Sequence, residues 1–123
     1  MNANTYAKQP VKDLAKVLKV LSEPNRLKIL FSMGLECAPV SAIIARTGLS
    51  QTNVSFHLRI LREAGLVKGE RHGSYIYYCL YDTALLDILS SMTQWRQRIV
   101  KIQAEAQTSS ESVALKNEVE MNN

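Results

Sequence analysis

Strong metal ligands are scarce in this chain. It has two cysteines, Cys37 and Cys79, and two histidines, His57 and His72, and no histidine occurs after residue 80. Zinc takes three or four such ligands, usually at clustered spacings, and these four are scattered, so no metal and no other cofactor is expected. Catalytic signatures are also missing. No glycine-rich phosphate loop, Gly-x-Ser-x-Gly turn or His-Glu-x-x-His helix is present, and an enzyme would need a nucleophile, base and stabiliser converging in one pocket. No apolar run is long enough to cross a membrane. The opening segment MNANTYAKQP lacks the charged-then-apolar pattern of a secretory signal. The expected setting is therefore cytoplasmic, where the two cysteines should be reduced thiols by default.

Acidic residues are few where the chain reads as folded. Residues 1–106 hold 14 Lys and Arg against 8 Asp and Glu, a net of +6, whereas residues 107–123 hold one Lys and three Glu. A body of that charge attracts polyanions. Many proteins are mildly basic, so charge alone does not select nucleic acid.

Only three prolines and five glycines punctuate the 123 residues, and they fall between periodic segments. Residues 11–21 place Leu14, Val17, Leu18 and Leu21 on one helical stripe, with Pro10 before it and Ser22-Glu23-Pro24 after it. A second helix over 24–34 is expected to bury Leu27, Leu30 and Phe31. A third, short helix follows Pro39 and carries Val40, Ile43, Ile44 and Thr47 on one face; Gly48 suits its left-handed cap. Ser50 is the N-cap of a fourth helix over 51–64, whose buried stripe is Val54, Leu58 and Leu61. Helices three and four are thus joined by Gly48-Leu49-Ser50 alone, the layout of a helix-turn-helix. Two β-rich runs, 66–70 and 75–80, flank Arg71-His72-Gly73-Ser74 and read as a hairpin. From Asp82 onward, Leu85, Leu89, Met92, Trp95, Ile99, Ile102 and Ala106 recur at steps of three and four. This seam of about six turns outruns what one small domain covers and calls for a second helix.

A helix-turn-helix followed by a basic hairpin is a winged helix, mainly α with a small β wing. Its second helix fits the major groove. Ser50, Gln51, Thr52 and Asn53 stand at the start of that helix, where base edges are met first; Gln and Asn suit adenine, and Ser and Thr suit bases or phosphates. Ser55 and Arg59 follow on the helix. Lys68, Arg71 and His72 on the wing are candidates for the phosphate backbone. Phe56 could touch a thymine methyl or pack on the wing of its own chain. His57 could fix the helix within the fold or reach a base. A polar helix start is common by itself. The weight comes from its union with the preceding helix, the Gly48 turn and the basic hairpin.

Several stretches resemble the ArsR family of bacterial repressors. Leu21-Ser22-Glu23-Pro24-Asn25-Arg26-Leu27-Lys28-Ile29-Leu30 is similar to the family opening LSDPTRLRIL. Residues 48–58, GLSQTNVSFHL, resemble its recognition helix GLSQSTVSxHL, and Phe56 departs from a position commonly basic or polar there. Leu61-Arg62-Glu63-Ala64-Gly65-Leu66-Val67 and Gly73-Ser74-Tyr75-Ile76-Tyr77-Tyr78 resemble LREAGLV and the wing motif GRxVYY. The resemblance spans about residues 11–90. It implies a homodimer built from the first and last helices, here through Leu14, Val17, Leu18, Leu85, Leu89, Met92, Trp95 and Ile99. It implies a palindromic site on double-stranded DNA, repression, and release by an inducer.

Metal ions are well-known inducers in that family, yet its ligand positions are not kept. Pro39 and Ser41 stand where a Cys-x-Cys pair would be. Asp82 matches the first acid of the last-helix site, but Ala84, Trp95 and Arg98 stand where its partners would fall. A small molecule, redox or reactive-sulfur chemistry at Cys37 and Cys79, or no inducer at all are the remaining readings; two ordinary buried thiols are the plain alternative for the cysteines. A winged helix used only for protein contact is a further alternative. The expected organisation is a flexible arm over 1–9, one DNA-binding and dimerisation domain over 10–106, and a polar, mobile tail over 107–123.

Overall fold

The computed structural model describes residues 4–121. In order these form α1 (Asn4–Ala7), α2 (Val11–Leu21), α3 (Pro24–Met33), β1 (Ala38–Pro39), α4 (Val40–Thr47), α5 (Gln51–Glu63), β2 (Val67–His72), β3 (Tyr75–Leu80) and α6 (Ala84–Met121). They divide into two compact units, Met1–Leu86 and Asp87–Asn123.

In the first unit α3, α4 and α5 pack on one another, and α5 packs on β2. The core is Ile29, Leu30, Ile43, Val54, Leu58, Leu61 and Val67, all fully buried. Each such aliphatic side chain contributes about 1.5–3 kcal/mol of burial free energy. The expected stripe of α5 is therefore observed. That of α3 is rotated: Ile29, Leu30 and Met33 are buried, Leu27 is half-buried and Phe31 lies exposed. The core-facing positions follow the contacts with α4 and α5, which a ten-residue helix pattern does not reveal.

Pro24 stands at the first position of α3, where no backbone donor is needed. Glu23 caps this helix, its carboxylate accepting from the Arg26 amide at 3.0 Å. Gly48 closes α4 at φ 72°, left-handed backbone that a glycine takes without strain. The loop to α5 is thereby held to three residues.

The sheet is three-stranded in the order β1-β3-β2, antiparallel throughout. β3 covers the expected Tyr75–Leu80, whereas β2 runs from Val67 to His72, two residues past the expected Glu70, so the turn is only Gly73-Ser74, with Gly73 at φ 65°. β1 is two residues long and pairs Ala38 with Tyr78 and Pro39 with Tyr77. Its proline is tolerated because this is an edge strand.

α6 begins where the Asp82 carboxylate accepts from the Ala84 amide at 2.9 Å. It has 38 residues, roughly 57 Å at 1.5 Å per residue. Helix therefore runs past Ala106 to Met121, through much of the segment read as a tail. The N-terminal arm likewise contains α1. Residues 1–3, 122 and 123, which the sequence reading assigned to arm and tail, lie outside the described residues. Among the described residues no helix is long and apolar enough to cross a membrane.

Candidate nucleic-acid interface

The first turns of α5 present the polar cluster outward. Ser50 caps the helix, its hydroxyl accepting from the Asn53 amide at 3.1 Å. Gln51, Thr52, Asn53, Ser55, Phe56, Arg59 and Arg62 are exposed, while Val54, His57, Leu58 and Leu61 are buried. One helix thus has an apolar face in the core and a polar face toward solvent. Its capped N-terminus carries the positive end of the helix dipole, which favours anions.

Two of these residues are organised around Phe56. Its ring lies edge-on to the His57 ring at 5.2 Å, and the Arg59 guanidinium sits over it at 5.8 Å. About half of the Phe56 surface stays open. Arg59 also reaches Glu63 at 3.9 Å, one turn along the helix.

His57 departs from the expected set of DNA contacts. It is 7% exposed and turned into the fold. Arg26 Nη1 lies 3.3 Å from His57 Nδ1; a guanidinium only donates, so Nδ1 accepts and the ring proton belongs on Nε2. Nε2 faces Glu23 Oε2 at 3.7 Å. Arg26 Nε in turn donates to the Val20 carbonyl at 2.6 Å. Glu23, Arg26 and His57 therefore tie the ends of α2 and α3 to the middle of α5. These are positioning residues, and the sequence reading missed the part of Glu23 and Arg26. The available signal was the pair Glu23 and Arg26 flanking Pro24 just before a buried helix.

The wing adds two cations and an imidazole of unequal freedom. Lys68 Nζ lies 3.5 Å from Glu70 Oε1 and His72 Nε2 lies 3.5 Å from Glu70 Oε2, so one carboxylate holds both. Lys68 also stands over the Tyr81 ring at 5.9 Å, and His72 is edge-on to Tyr77 at 4.8 Å. Arg71 is exposed, and among the described residues it has no ion-pair partner. Gly69 lets the strands close here: a Cβ at this position would come 3.3 Å from Ile76 Cγ2 and 3.7 Å from Tyr78 Cε1.

Behind the wing, Cys37 and Cys79 are joined in a disulfide, with Cα atoms 4.3 Å apart. The expectation of two reduced, scattered thiols is corrected here. β1 brings the segment before α4 alongside β3, and continuing its register sets Cys37 opposite Cys79. Nothing in Ala38-Pro39 marks so short a strand.

The residues proposed for a dimer seam remain apolar and largely open in the single chain. Leu14 is 54% exposed, Leu18 40%, Met92 48% and Trp95 52%. Val17, Leu85 and Ile99 are half-buried, and Leu89 is buried.

A buried three-helix core, a capped polar helix reached through a three-residue turn, and a basic hairpin beside it define a winged helix-turn-helix transcriptional regulator. A family model described as bacterial regulatory protein, arsR family, matches residues 23–68. The chain is 40% identical over 81 residues to the HTH-type transcriptional regulator NmtR of Mycobacterium tuberculosis, covering 66% of this chain and 68% of that protein. Among solved structures it resembles the transcriptional repressor BigR of Xylella fastidiosa, with 26% identity, a TM-score of 0.67, and 76% of this chain and 95% of that one covered. It also resembles a homodimeric winged helix-turn-helix DNA-binding domain from Mycobacterium bovis, with 28% identity, a TM-score of 0.61, and 79% and 90% covered. The chain belongs to the ArsR family, whose members matched here are DNA-binding regulators and not enzymes.

Proposed function

We propose that two copies of this chain bind a two-fold symmetric operator in double-stranded DNA and repress the adjoining promoter until an inducer releases them. The observation that carries the reading is the exposed N-terminal face of α5, Ser50 to Asn53, held outward on a buried core. Gln51 and Asn53 supply the paired donor and acceptor that adenine matches; Ser50, Thr52 and Ser55 reach bases or phosphates. Phe56 offers an apolar surface to a thymine methyl. Arg59, Lys68, Arg71 and His72 hold the phosphate backbone and set the register. Residues 10–106 constitute the DNA-binding and dimerisation domain, with apolar surface on α2 and α6 as the seam.

Footprinting of the purified protein on the promoter of its own gene tests this. The expected result is a protected palindrome with half-sites about one helical turn apart, whose protection falls steeply with salt. A folded protein that shields no promoter sequence beyond its background on random DNA contradicts it.

The disulfide supports a second reading of the inducer, in which the release step is thiol chemistry. The bond joins the segment entering the helix-turn-helix to the wing strand β3, so making or breaking it acts on both DNA-facing elements. Equal operator affinity of the oxidised and reduced protein excludes this reading and leaves a small molecule or no inducer.

A further inference from the structure

The sheet gathers three side chains that the sequence keeps far apart. Cys37 stands just before β1, Glu70 comes from β2 and Cys79 from β3. Their ligand atoms, the two sulfurs and one carboxylate oxygen, all lie within 4.8 Å of one another; Cys79 is buried, Glu70 half-buried and Cys37 exposed. We propose that the reduced protein holds one soft divalent cation, zinc or cadmium, between the Cys37 and Cys79 thiolates and the Glu70 carboxylate.

The distances fit with little movement. Zinc–thiolate bonds are about 2.3 Å and zinc–carboxylate bonds about 2.0–2.2 Å, so tetrahedral ligands stand about 3.5–3.8 Å apart. Once the S–S bond is open the sulfurs separate to that spacing by side-chain rotation, and the carboxylate closes in by about 1 Å. The backbone register need not change, because Glu70 and Cys79 sit on paired strands and Cys37 adjoins a third. Water completes the four positions. Two thiolates select a soft cation over magnesium or calcium.

Charge fits as well. Lys68 faces Cys79 across the ladder, and its Nζ is 3.5 Å from Glu70 Oε1. Two thiolates and a carboxylate carry three negative charges, which a divalent ion and this ammonium together balance. Binding draws Glu70 away from Lys68 and His72, on the strand that carries Arg71.

Metal and disulfide exclude each other. A dithiol reductant supplies two electrons and two protons, opens the Cys37–Cys79 bond to two thiols, and leaves as its own disulfide. The cation then displaces two thiol protons to solvent. The cluster lies apart from both positions that the family resemblance offers for metals, at Pro39 and Ser41 and at Asp82, Ala84, Trp95 and Arg98. The inference concerns the free protein and stands whether or not α5 reads DNA.

The test is a cadmium chloride titration of the full chain, reduced with dithiothreitol and freed of reductant under argon. Thiolate-to-cadmium charge-transfer absorbance should rise to one equivalent per chain. The oxidised protein and Cys37→Ser should show no such rise to one equivalent. Glu70→Gln should bind about ten-fold more weakly or worse, since even indirect support of a metal commonly matters that much. Cys37 is exposed, so its replacement leaves the core intact, and far-ultraviolet circular dichroism confirms the fold of each variant. A folded, reduced wild-type chain without the absorbance overturns the proposal. So does Glu70→Gln or Cys37→Ser binding as tightly as wild type.

Discussion

Arg26 makes the clearest single-residue case. Its guanidinium bridges the Val20 carbonyl and the His57 ring, while its own amide is held by Glu23. Arg26→Ala should lower unfolding free energy by about 1–3 kcal/mol, the range for leaving part-buried polar partners unpaired, and should weaken operator binding without loss of the dimer. Chemical denaturation and sedimentation check the two halves of that statement. Unchanged stability would show the network to be incidental. At this scale the polar face of α5 was legible, because Ser50, Gln51, Thr52 and Asn53 follow a left-handed glycine and precede a buried stripe. For His57 the inward place stands as one of two readings, since inward and outward histidines look alike until α3 supplies Arg26. For Cys37 and Cys79 the sequence leaves plain thiols and a redox pair both open, because nothing in Ala38-Pro39 announces the strand that joins them.

At the scale of elements, helices and hairpin were predictable from periodicity and punctuation, whereas β1 and the rotated face of α3 depend on neighbours far along the chain. The wing separates two kinds of contact. Arg71 is exposed and, among the described residues, without an ion-pair partner; under the proposed reading it contacts phosphate, so Arg71→Ala should weaken operator and random DNA alike and reduce the salt slope by about one. Loss confined to the operator would make it a base-reading residue instead. The disulfide closes a loop across a sequence separation of 42 residues that contains α4, α5 and β2. Its reduction should cost about 2–4 kcal/mol, as cross-links of unfolded chains do. Thermal unfolding with and without reductant measures this, and an unmoved midpoint would argue that the bond does not restrain the unfolded chain.

For the whole molecule, the single chain leaves too much apolar surface open. Trp95, Met92, Ile88 and Ile102 on α6 and Leu14 and Leu18 on α2 are each at least 40% exposed, and a long helix with such a stripe calls for a partner. The structure of a homodimeric relative agrees in kind. Trp95→Ala should shift the chain toward monomer in sedimentation, and a dimer unchanged at all concentrations would remove Trp95 from the seam. The long seam was visible in the sequence to Ala106. The helix beyond it was not, because residues 107–121 are polar enough to read as tail.

Under the proposed function the exposed start of α5 reads sequence from a symmetric dimer. Selection of bound duplexes from a randomised DNA library, run in parallel on wild type and Gln51→Ala, tests it most directly. Wild type should enrich a palindrome. Gln51→Ala should lose preference at one position in each half-site, with about 1–3 kcal/mol weaker binding. A folded wild-type protein that enriches no sequence, or a Gln51→Ala variant that selects the wild-type palindrome with equal strength at every position, would contradict it.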